Sequence, residues 1–294
     1  LTQSRVGMTP LGLTYQRFEW WHMEKTVLIT GCSSGIGRAT AEDFLDDEWT
    51  VYATARDAND LAELADIGCR TAELDVTNAR EIERVVERII DEQGRLDVLV
   101  NNAGTVQFGP VEDVPTDAVH DQFDVNVYGP HRLIREVLPH MRERERGRII
   151  NVSSAVGLLS TPGEGVYSSS KFALEGMSDA LRNEVDQYGI DVVLVEPGPV
   201  ETNFTDRAGE AMNGGDRSPA YDWLYELYED TALVSENAVS ITPEEVALTI
   251  RDAAVASDPR ARYPVGQFAR FAVLARHLPG RWQDLAVGVL RKFA

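Results

Sequence analysis

The sequence predicts an α/β fold in which a doubly wound parallel sheet carries helices on both faces. Three observations lead to this prediction. Short apolar, β-rich segments alternate with amphipathic helical segments through at least six cycles, and such alternation is typical of a parallel sheet. A glycine-rich turn follows the first strand. The chain has 294 residues and no stretch that resembles a linker, so we expect a single domain.

The elements are predicted in order along the chain. Strands are expected at residues 26–30, 50–55, 69–74, 97–100, 148–152 and 191–195. Helices are expected at residues 36–46, 59–65, 78–93, 117–129, 130–144 and 167–188. The third helix shows the reasoning, because Ile82, Val85, Val86 and Ile89 form an apolar stripe with helical spacing. In such a sheet a ligand binds beyond the carboxyl ends of the strands.

A glycine-rich loop, Thr-Gly-Cys-Ser-Ser-Gly-Ile-Gly over residues 30–37, joins the first strand to the first helix. Glycine lets a backbone pass close to a pyrophosphate, and the helix N-terminus favours negative charge. We therefore predict a Rossmann-type sheet that binds a dinucleotide; a turn that is only tightly packed is the alternative. The loop residues expected to contact the dinucleotide are Gly31, Ser33, Ser34, Gly35, Ile36 and Gly37.

The loop departs from the usual G-x-G-x-x-G and resembles the T-G-x-x-x-G-x-G turn of the short-chain dehydrogenase/reductase (SDR) family. Three more motifs are similar to that family's: Asn101-Asn102-Ala103-Gly104, Tyr167-x-x-x-Lys171 with Ser154 upstream, and Pro197-Gly198 followed by Thr202. The resemblance spans about residues 24–204. Residues 52–57, 171–176 and 197–202 look most similar to the 17β-hydroxysteroid and retinol dehydrogenase-like members, which suggests an apolar alcohol or ketone.

The resemblance implies a catalytic set of Asn126, Ser154, Tyr167 and Lys171. A ketone that becomes an alkoxide needs a proton as hydride reaches its carbon. Free tyrosine has a pKa of about 10, and a nearby cation lowers that value; Lys171 lies one helical turn from Tyr167. Ser154 would stabilise the substrate oxygen. Asn126 resembles the family residue that anchors a water chain to the lysine.

The predicted function is NADP(H)-dependent interconversion of a secondary alcohol and a ketone or aldehyde. A catalytically silent dinucleotide sensor is the main alternative, although such a protein would not need all four catalytic positions. A serine hydrolase is disfavoured because Ser154 lacks a G-x-S-x-G turn. A sugar-nucleotide epimerase of the same superfamily usually has a different glycine spacing.

The end of the second strand favours NADP(H), with NAD(H) as the alternative. The strand ends in the uncharged Ala55, and Arg56 follows; an arginine suits a 2′-phosphate, whereas NAD enzymes usually place an acid there. Asp57 is the counter-argument, since a shift of two residues would bring an acid to the ribose. The resemblance implies further cofactor contacts from Asp75, Val76, Asn102, Ala103, Gly104, Tyr167, Lys171, Pro197, Gly198, Val200 and Thr202.

Net charge, cysteine count and residue patterning bear on the partners, the compartment and the metal sites that we expect. A net charge of -20 repels nucleic acid and anionic membranes. It suits a protein from a halophilic source, because concentrated salt screens the self-repulsion; a merely acidic cytosolic protein is the alternative. The two cysteines, Cys32 and Cys69, fit free thiols in the cytoplasm. No apolar run reaches the roughly 18 residues of a membrane span, and the five histidines show no metal-ligand spacing.

The two ends of the chain and one internal segment depart from the regular pattern. Residues 1–22 lack the features of a signal peptide; we expect them to lie upstream of a true start at Met23, with an ordered N-terminal arm as the alternative. Residues 203–240 read as a substrate-binding segment. Residues 259–294 are basic and predict a flap over the cleft or a subunit contact, with a membrane-surface segment as the alternative. By analogy we expect a homodimer or homotetramer.

Overall fold

The computed structural model describes residues 25–201, 217–226, 228 and 240–285. In these residues seven parallel strands form one sheet in the order β3-β2-β1-β4-β5-β6-β7. The strands are β1 (Thr26–Thr30), β2 (Thr50–Ala55), β3 (Arg70–Glu73), β4 (Val98–Asn101), β5 (Gly147–Val152), β6 (Ile190–Pro197) and β7 (Arg262–Val265). The order reverses between β1 and β4, as a doubly wound sheet requires, and the predicted fold class is confirmed.

The helices lie on both sides of the sheet. They are α1 (Gly35–Asp46), α2 (Ala62–Ile67), α3 (Ala79–Gln93), α4 (Thr116–Phe123), α5 (Gly129–Glu143), α6 (Gly165–Val185), α7 (Pro243–Val255) and α8 (Gln267–Ala275). A capping box begins α7, in which Thr242 and Glu245 exchange hydrogen bonds with each other's backbone amides. Among the described helices none is both long and apolar enough to cross a membrane.

Alternate residues of β1 face two separate hydrophobic cores. Val27 packs in the core that contains Phe44 of α1 and Ile250 of α7. Leu28 packs in the opposite core, together with Ile89 of α3. Because the side chains of a strand alternate between faces, a continuous apolar strand such as β1 is buried on both sides.

The strand β7 was not predicted, and it corrects part of the interpretation of residues 259–294. It pairs in parallel with β6, with Glu196 opposite Pro264, and α8 follows it. A proline is tolerated at the edge of a sheet because its missing N–H need not pair there. The first part of the basic stretch therefore completes the sheet. Residues 286–294 lie outside the described part, as do residues 1–22.

The opposite edge of the sheet is bordered by arginine side chains. The carbonyl oxygens of Thr71 and Glu73 in β3 accept hydrogen bonds from Arg88 at 3.1 Å and Arg84 at 3.2 Å. Both arginines belong to α3, so this helix supplies donors to an edge where the described residues contribute no further strand.

The region from α4 to α5 is helical throughout, in agreement with the long, bent helical region that the sequence predicts. The five residues Asp124–Tyr128 form a π-helical turn that links the two helices. Pro130 follows this turn as the second residue of α5, and a proline inside a continuous helix removes one backbone hydrogen-bond donor. Such π turns often occur at functional sites, and this one carries Asn126.

Candidate active site

The glycine-rich loop packs so closely that side chains are excluded from it. Gly31 has φ +74°, and a Cβ on it would lie 2.8 Å from Cα of Ala103. A Cβ on Gly37 would lie 2.1 Å from the carbonyl oxygen of Gly31. The loop therefore folds back on the first turn of α1, which leaves an open cradle of backbone groups at the carboxyl end of β1.

Asn102 fixes the shape of this loop from the neighbouring strand. Its side-chain amide donates to the carbonyl oxygens of Thr30 at 2.9 Å and Gly31 at 3.1 Å. The hydroxyl of Thr30 in turn accepts from the backbone amides of Asn102 and Ala103. Asn102 was predicted as a cofactor contact, and in the structure it also acts as a clamp between β1 and β4.

The N-terminus of α1 has features of an anion site. Ser34 occupies the N-cap position, but its side chain caps no backbone amide, and the first turn holds no acidic residue. No side chain of the described residues caps the first amides of α1, which therefore remain available to a negative group. Together with the cradle at Gly31 and Gly37, this arrangement fits the pyrophosphate of a dinucleotide.

The structure distinguishes Arg56 from Asp57 at the end of β2. Asp57 accepts hydrogen bonds from the backbone amide of Asn59 at 2.9 Å and from its side-chain amide at 2.8 Å. Its carboxylate is therefore engaged in capping a short 3₁₀ helix. Arg56 is exposed beside it, with its guanidinium available to an anion.

Tyr167 and Ser154 lie together at the carboxyl ends of the strands. Tyr167 is 8 % exposed. Burial raises the pKa of Tyr167, while a hydrogen bond with the Ser154 side chain lowers it and the charge of Glu164 raises it further. The sequence analysis predicted a lowered pKa for Tyr167. In the structure, desolvation by burial raises this pKa by more than the hydrogen bond with Ser154 lowers it. The neighbouring Ser153 faces Glu175 instead.

Lys171 is buried one turn further along α6. Its ammonium donates to the carbonyl oxygen of Val152 at 2.9 Å and lies 5.8 Å from the ring centroid of Tyr167. Burial lowers the pKa of Lys171 to about 8, although the negative charge of Glu175 opposes this effect. The lysine therefore titrates much closer to neutral pH than a free lysine does.

Asn126 is held in the π turn by three hydrogen bonds. Its side chain accepts from the amide of Thr105 at 2.9 Å and donates to the carbonyl oxygen of Thr105 at 2.9 Å and to Ser170 at 3.0 Å. A Cβ on Gly104 would lie 3.5 Å from Oδ1 of Asn126 and 4.0 Å from Nζ of Lys171. Both polar groups thus border the same small space beside Gly104.

An apolar wall adjoins the tyrosine. Val106, Val156 and Tyr167 form one buried cluster, against which Phe108 packs. The ring centroid of Phe108 lies 6.3 Å from that of Tyr167 and 5.9 Å from that of Tyr228. Tyr228 is one of the few described residues of the segment predicted to bind substrate.

Most other predicted contacts lie along the same edge of the sheet. Asp75 follows β3, and its carboxylate accepts from the amide and hydroxyl of Thr77, both at 2.8 Å. Pro197 ends β6, and the amide of Gly198 donates to Val265 at 3.0 Å. Further predicted residues at this edge are the buried Val76 and the partly exposed Ala103 and Val200. Thr202 lies outside the described residues.

Two features of the site were missed by sequence reasoning. Phe108 lies in a loop with no regular pattern, and no sequence signal identified it. Glu175 and Glu196 did have a signal, because each places an acid within an otherwise apolar run. No group of three or more metal-ligating side chains occurs in the described ranges.

The fold and site define a dinucleotide-dependent oxidoreductase, and comparison identifies its family. The family model for short chain dehydrogenase matches residues 25–213. The chain belongs to this family. It is 35% identical to the uncharacterized oxidoreductase YbbO of Escherichia coli K12, over 89% of this chain and 93% of YbbO.

Two further relatives carry names of activities. A 3-ketodihydrosphingosine reductase of Bacteroides thetaiotaomicron is 36% identical over 90% of this chain and 96% of its own. Human 17-beta-hydroxysteroid dehydrogenase type 1 is 36% identical over 81% of this chain and 76% of its own. The predicted resemblance to the 17β-hydroxysteroid dehydrogenases is confirmed.

Solved structures share the fold over most of the chain. A short-chain dehydrogenase from Streptomyces avermitilis has a TM-score of 0.75 and 34% identity, covering 91% of this chain and 95% of that one. The closed form of a serine dehydrogenase complexed with NADP+ has a TM-score of 0.73 and 28% identity, covering 82% and 94%.

Proposed function

We propose that the protein interconverts an alcohol and the corresponding ketone or aldehyde, with Tyr167 as general acid and base. The observation that carries the proposal is the meeting of Tyr167, Ser154 and Lys171 at the strand ends, beside a loop whose glycines leave a backbone cradle. A hydride donor bound in that cradle and a proton donor beside it are the two requirements of carbonyl reduction.

Each side chain has a distinct role in the proposed reaction. Tyr167 gives its proton to the substrate oxygen as the carbonyl becomes an alkoxide, and it takes the proton back in the reverse direction. Ser154 donates a hydrogen bond to the same oxygen and stabilises its developing charge. The charged Lys171 favours the phenolate of Tyr167. Asn126 and Lys171, which border the space beside Gly104, would return the proton from solvent.

The cofactor is proposed to be NADP(H), with NAD(H) as a weaker ligand; when bound, it supplies or accepts the hydride. The backbone of Gly31 to Gly37 and the amides of α1 would hold the pyrophosphate. Arg56 would bind the 2′-phosphate, since its guanidinium is exposed while Asp57 is engaged with Asn59. The NADP+ complex of the similar serine dehydrogenase supports this choice.

The substrate is proposed to be apolar next to its carbonyl. The wall of Val106, Val156 and Phe108 beside Tyr167 favours a hydrocarbon group there. The names of the two relatives, a 3-ketodihydrosphingosine reductase and a 17-beta-hydroxysteroid dehydrogenase, are consistent with such a substrate.

The substitution Tyr167→Phe tests the reaction. We expect it to reduce carbonyl turnover by at least about 100-fold, the usual size of a lost general acid. NADPH binding should change little, because the phenyl ring keeps its packing against Phe108. The measurement is NADPH absorbance with a panel of ketones in molar KCl, together with NADPH titration by fluorescence.

The control is Tyr188→Phe, which removes the hydroxyl of a tyrosine that follows α6. It should retain wild-type turnover. Equal turnover in Tyr167→Phe and the wild type would refute the proposal. A wild type that binds NADPH but reduces no carbonyl would favour the dinucleotide sensor.

A further inference from the structure

A buried acidic cluster lies behind the catalytic residues, around a single arginine. Glu175 of α6 and Glu196 of β6 are 2% and 0% exposed. The Nη2 atom of Arg262, in β7, lies 3.0 Å from Oε2 of Glu175 and 2.6 Å from Oδ2 of Asp179, and its Nε atom lies 3.1 Å from Oε1 of Glu196. We call these four residues the Arg262 cluster.

Stabilisation of the fold does not account well for the Arg262 cluster. Three carboxyl groups face the guanidinium of Arg262; Asp179 is partly exposed and also pairs with Arg182, but Glu175 and Glu196 are buried. Buried charges are costly even when they are paired. Neither oxygen of Glu196 accepts a hydrogen bond from the described residues, nor does Oε1 of Glu175. Burial and the nearby Glu175 raise the pKa of Glu196 to about 7, against the charge of Arg262.

The cluster is linked to the candidate catalytic residues through Lys171. Glu175 follows Lys171 by four residues on α6, so the two side chains share one face of the helix. The negative charge of Glu175 raises the pKa of Lys171 and partly offsets the lowering caused by burial. Burial raises the pKa of Glu175, whereas Ser153 and Arg262 lower it.

The groups that favour the charged form of Glu175 come from three other parts of the chain. Ser153 follows β5, Arg262 lies in β7 and Arg276 follows α8; each of them favours the ionised form of Glu175. Glu196 and Asp179 contact the same Nε–Nη2 edge of Arg262 that Glu175 contacts. Arg262 therefore bridges the three acids and holds the carboxylate of Glu175 in place.

We propose that Glu175 is a positioning residue whose buried carboxylate, held by Arg262, keeps the ammonium of the buried Lys171 charged. The proposal rests on the proposed function, which needs a charged lysine beside Tyr167. It gives β7 a role at the site, because the last strand of the sheet supplies the arginine.

The chain allows the charge of Lys171 to be measured directly. Lys25, Lys171 and Lys292 are its only lysines, so protein labelled with ¹³C at the lysine ε carbon gives three NMR signals. The variant Lys171→Arg identifies the signal of interest. In Glu175→Gln we expect the titration midpoint of Lys171 to fall by about one pH unit or more, as for a unit charge lost one helical turn away.

Glu196→Gln is the matched control, since it removes a buried carboxylate from the same cluster. It should leave the midpoint of Lys171 within about 0.3 pH unit, because Glu196 lies on β6 and does not share the helix face of Lys171 and Glu175. An unchanged midpoint in Glu175→Gln, or an equal fall in both variants, would overturn the proposal. Glu175→Met, which fills a similar buried volume, should show the same fall and serves if the glutamine variant does not fold.

Turnover provides the second readout. The basic limb of the kcat/KM profile should move to lower pH in Glu175→Gln, with kcat near that of the wild type at about pH 6, where Lys171 stays charged. An unmoved limb would contradict the positioning role. If the wild type itself reduces no carbonyl, the proposed function fails, yet the NMR midpoint still decides whether Glu175 controls the charge of Lys171.

Discussion

Replacing Gly37 with alanine tests the geometry of the glycine-rich loop. The new Cβ would lie 2.1 Å from the carbonyl oxygen of Gly31 and 2.5 Å from Nδ2 of Asn102. Since real Cβ atoms essentially never come closer than 3.0 Å to such atoms, the loop must move by about 0.9 Å. That movement strains the hydrogen bond between Asn102 and Gly31 and displaces the amides that face the pyrophosphate.

The expected effects follow from the size of this displacement. Overpacking of a closely packed site costs about 1–3 kcal/mol, which corresponds to a fall in melting temperature of about 2–12 °C. A displacement of about 1 Å weakens an interaction that depends on exact positioning by on the order of 100-fold. We therefore expect NADPH affinity to fall by roughly that factor, measured by fluorescence titration, with stability followed by thermal unfolding.

Gly176→Ala is the matched control, because it makes the same substitution in a helix where a Cβ meets nothing within 4 Å. It should stabilise the protein by about 0.5–1 kcal/mol, since alanine is the better helix former, and leave NADPH affinity unchanged. The reasoning fails if Gly37→Ala binds NADPH as tightly as Gly176→Ala does.

Three further predictions concern the cofactor, pH and salt. Arg56→Asp should weaken binding of NADPH more than of NADH; an unchanged preference in titrations would reject the assignment of Arg56. Burial alone would raise the pKa of Asp97, but hydrogen bonds from Arg95 and the Thr26 amide lower it. The charged Asp97 therefore stabilises the fold above about pH 4, and this stabilisation is lost as pH falls through the folded-state pKa. Melting temperatures should therefore fall more steeply on acidification in the wild type than in Asp97→Asn; parallel curves would contradict this. For a halophilic protein, the melting temperature should rise from dilute to molar KCl, and a flat dependence would speak against a salt-adapted surface.

The sequence was sufficient for the parts of the fold that follow from periodicity and motif spacing. Six strands were predicted from apolar runs, and β7 was missed because its four residues include Arg262 and Pro264. Such a strand forms because β6 offers a free neighbour, which is a tertiary effect that propensity does not express. The π turn was missed for a similar reason, since its residues have no pattern distinct from that of an α-helix.

Sequence reasoning could predict the site residues that belong to motifs, but not the contacts that only packing brings together. The position of Ser154 follows from its place just after β5, whereas Tyr167 of α6 was identified by the Tyr-x-x-x-Lys motif. The direction of the pKa shift of Tyr167 did not follow, because it depends on burial as well as on neighbouring charge. Arg262 lies 87 residues from Glu175 along the chain, and only the pairing of β7 with β6 brings them together.

The two edge strands of the sheet, β3 and β7, affect the tendency of the protein to aggregate at high concentration. At the β3 border the carbonyl groups of Thr71 and Glu73 are already occupied by arginines, and at the β7 border Pro264 offers no N–H. A foreign strand thus finds few backbone partners on either side. Concentrated salt screens the mutual repulsion of acidic molecules. Under those conditions the protected edge strands would still hinder fibrous or amorphous aggregation, because this protection does not depend on repulsion between molecules.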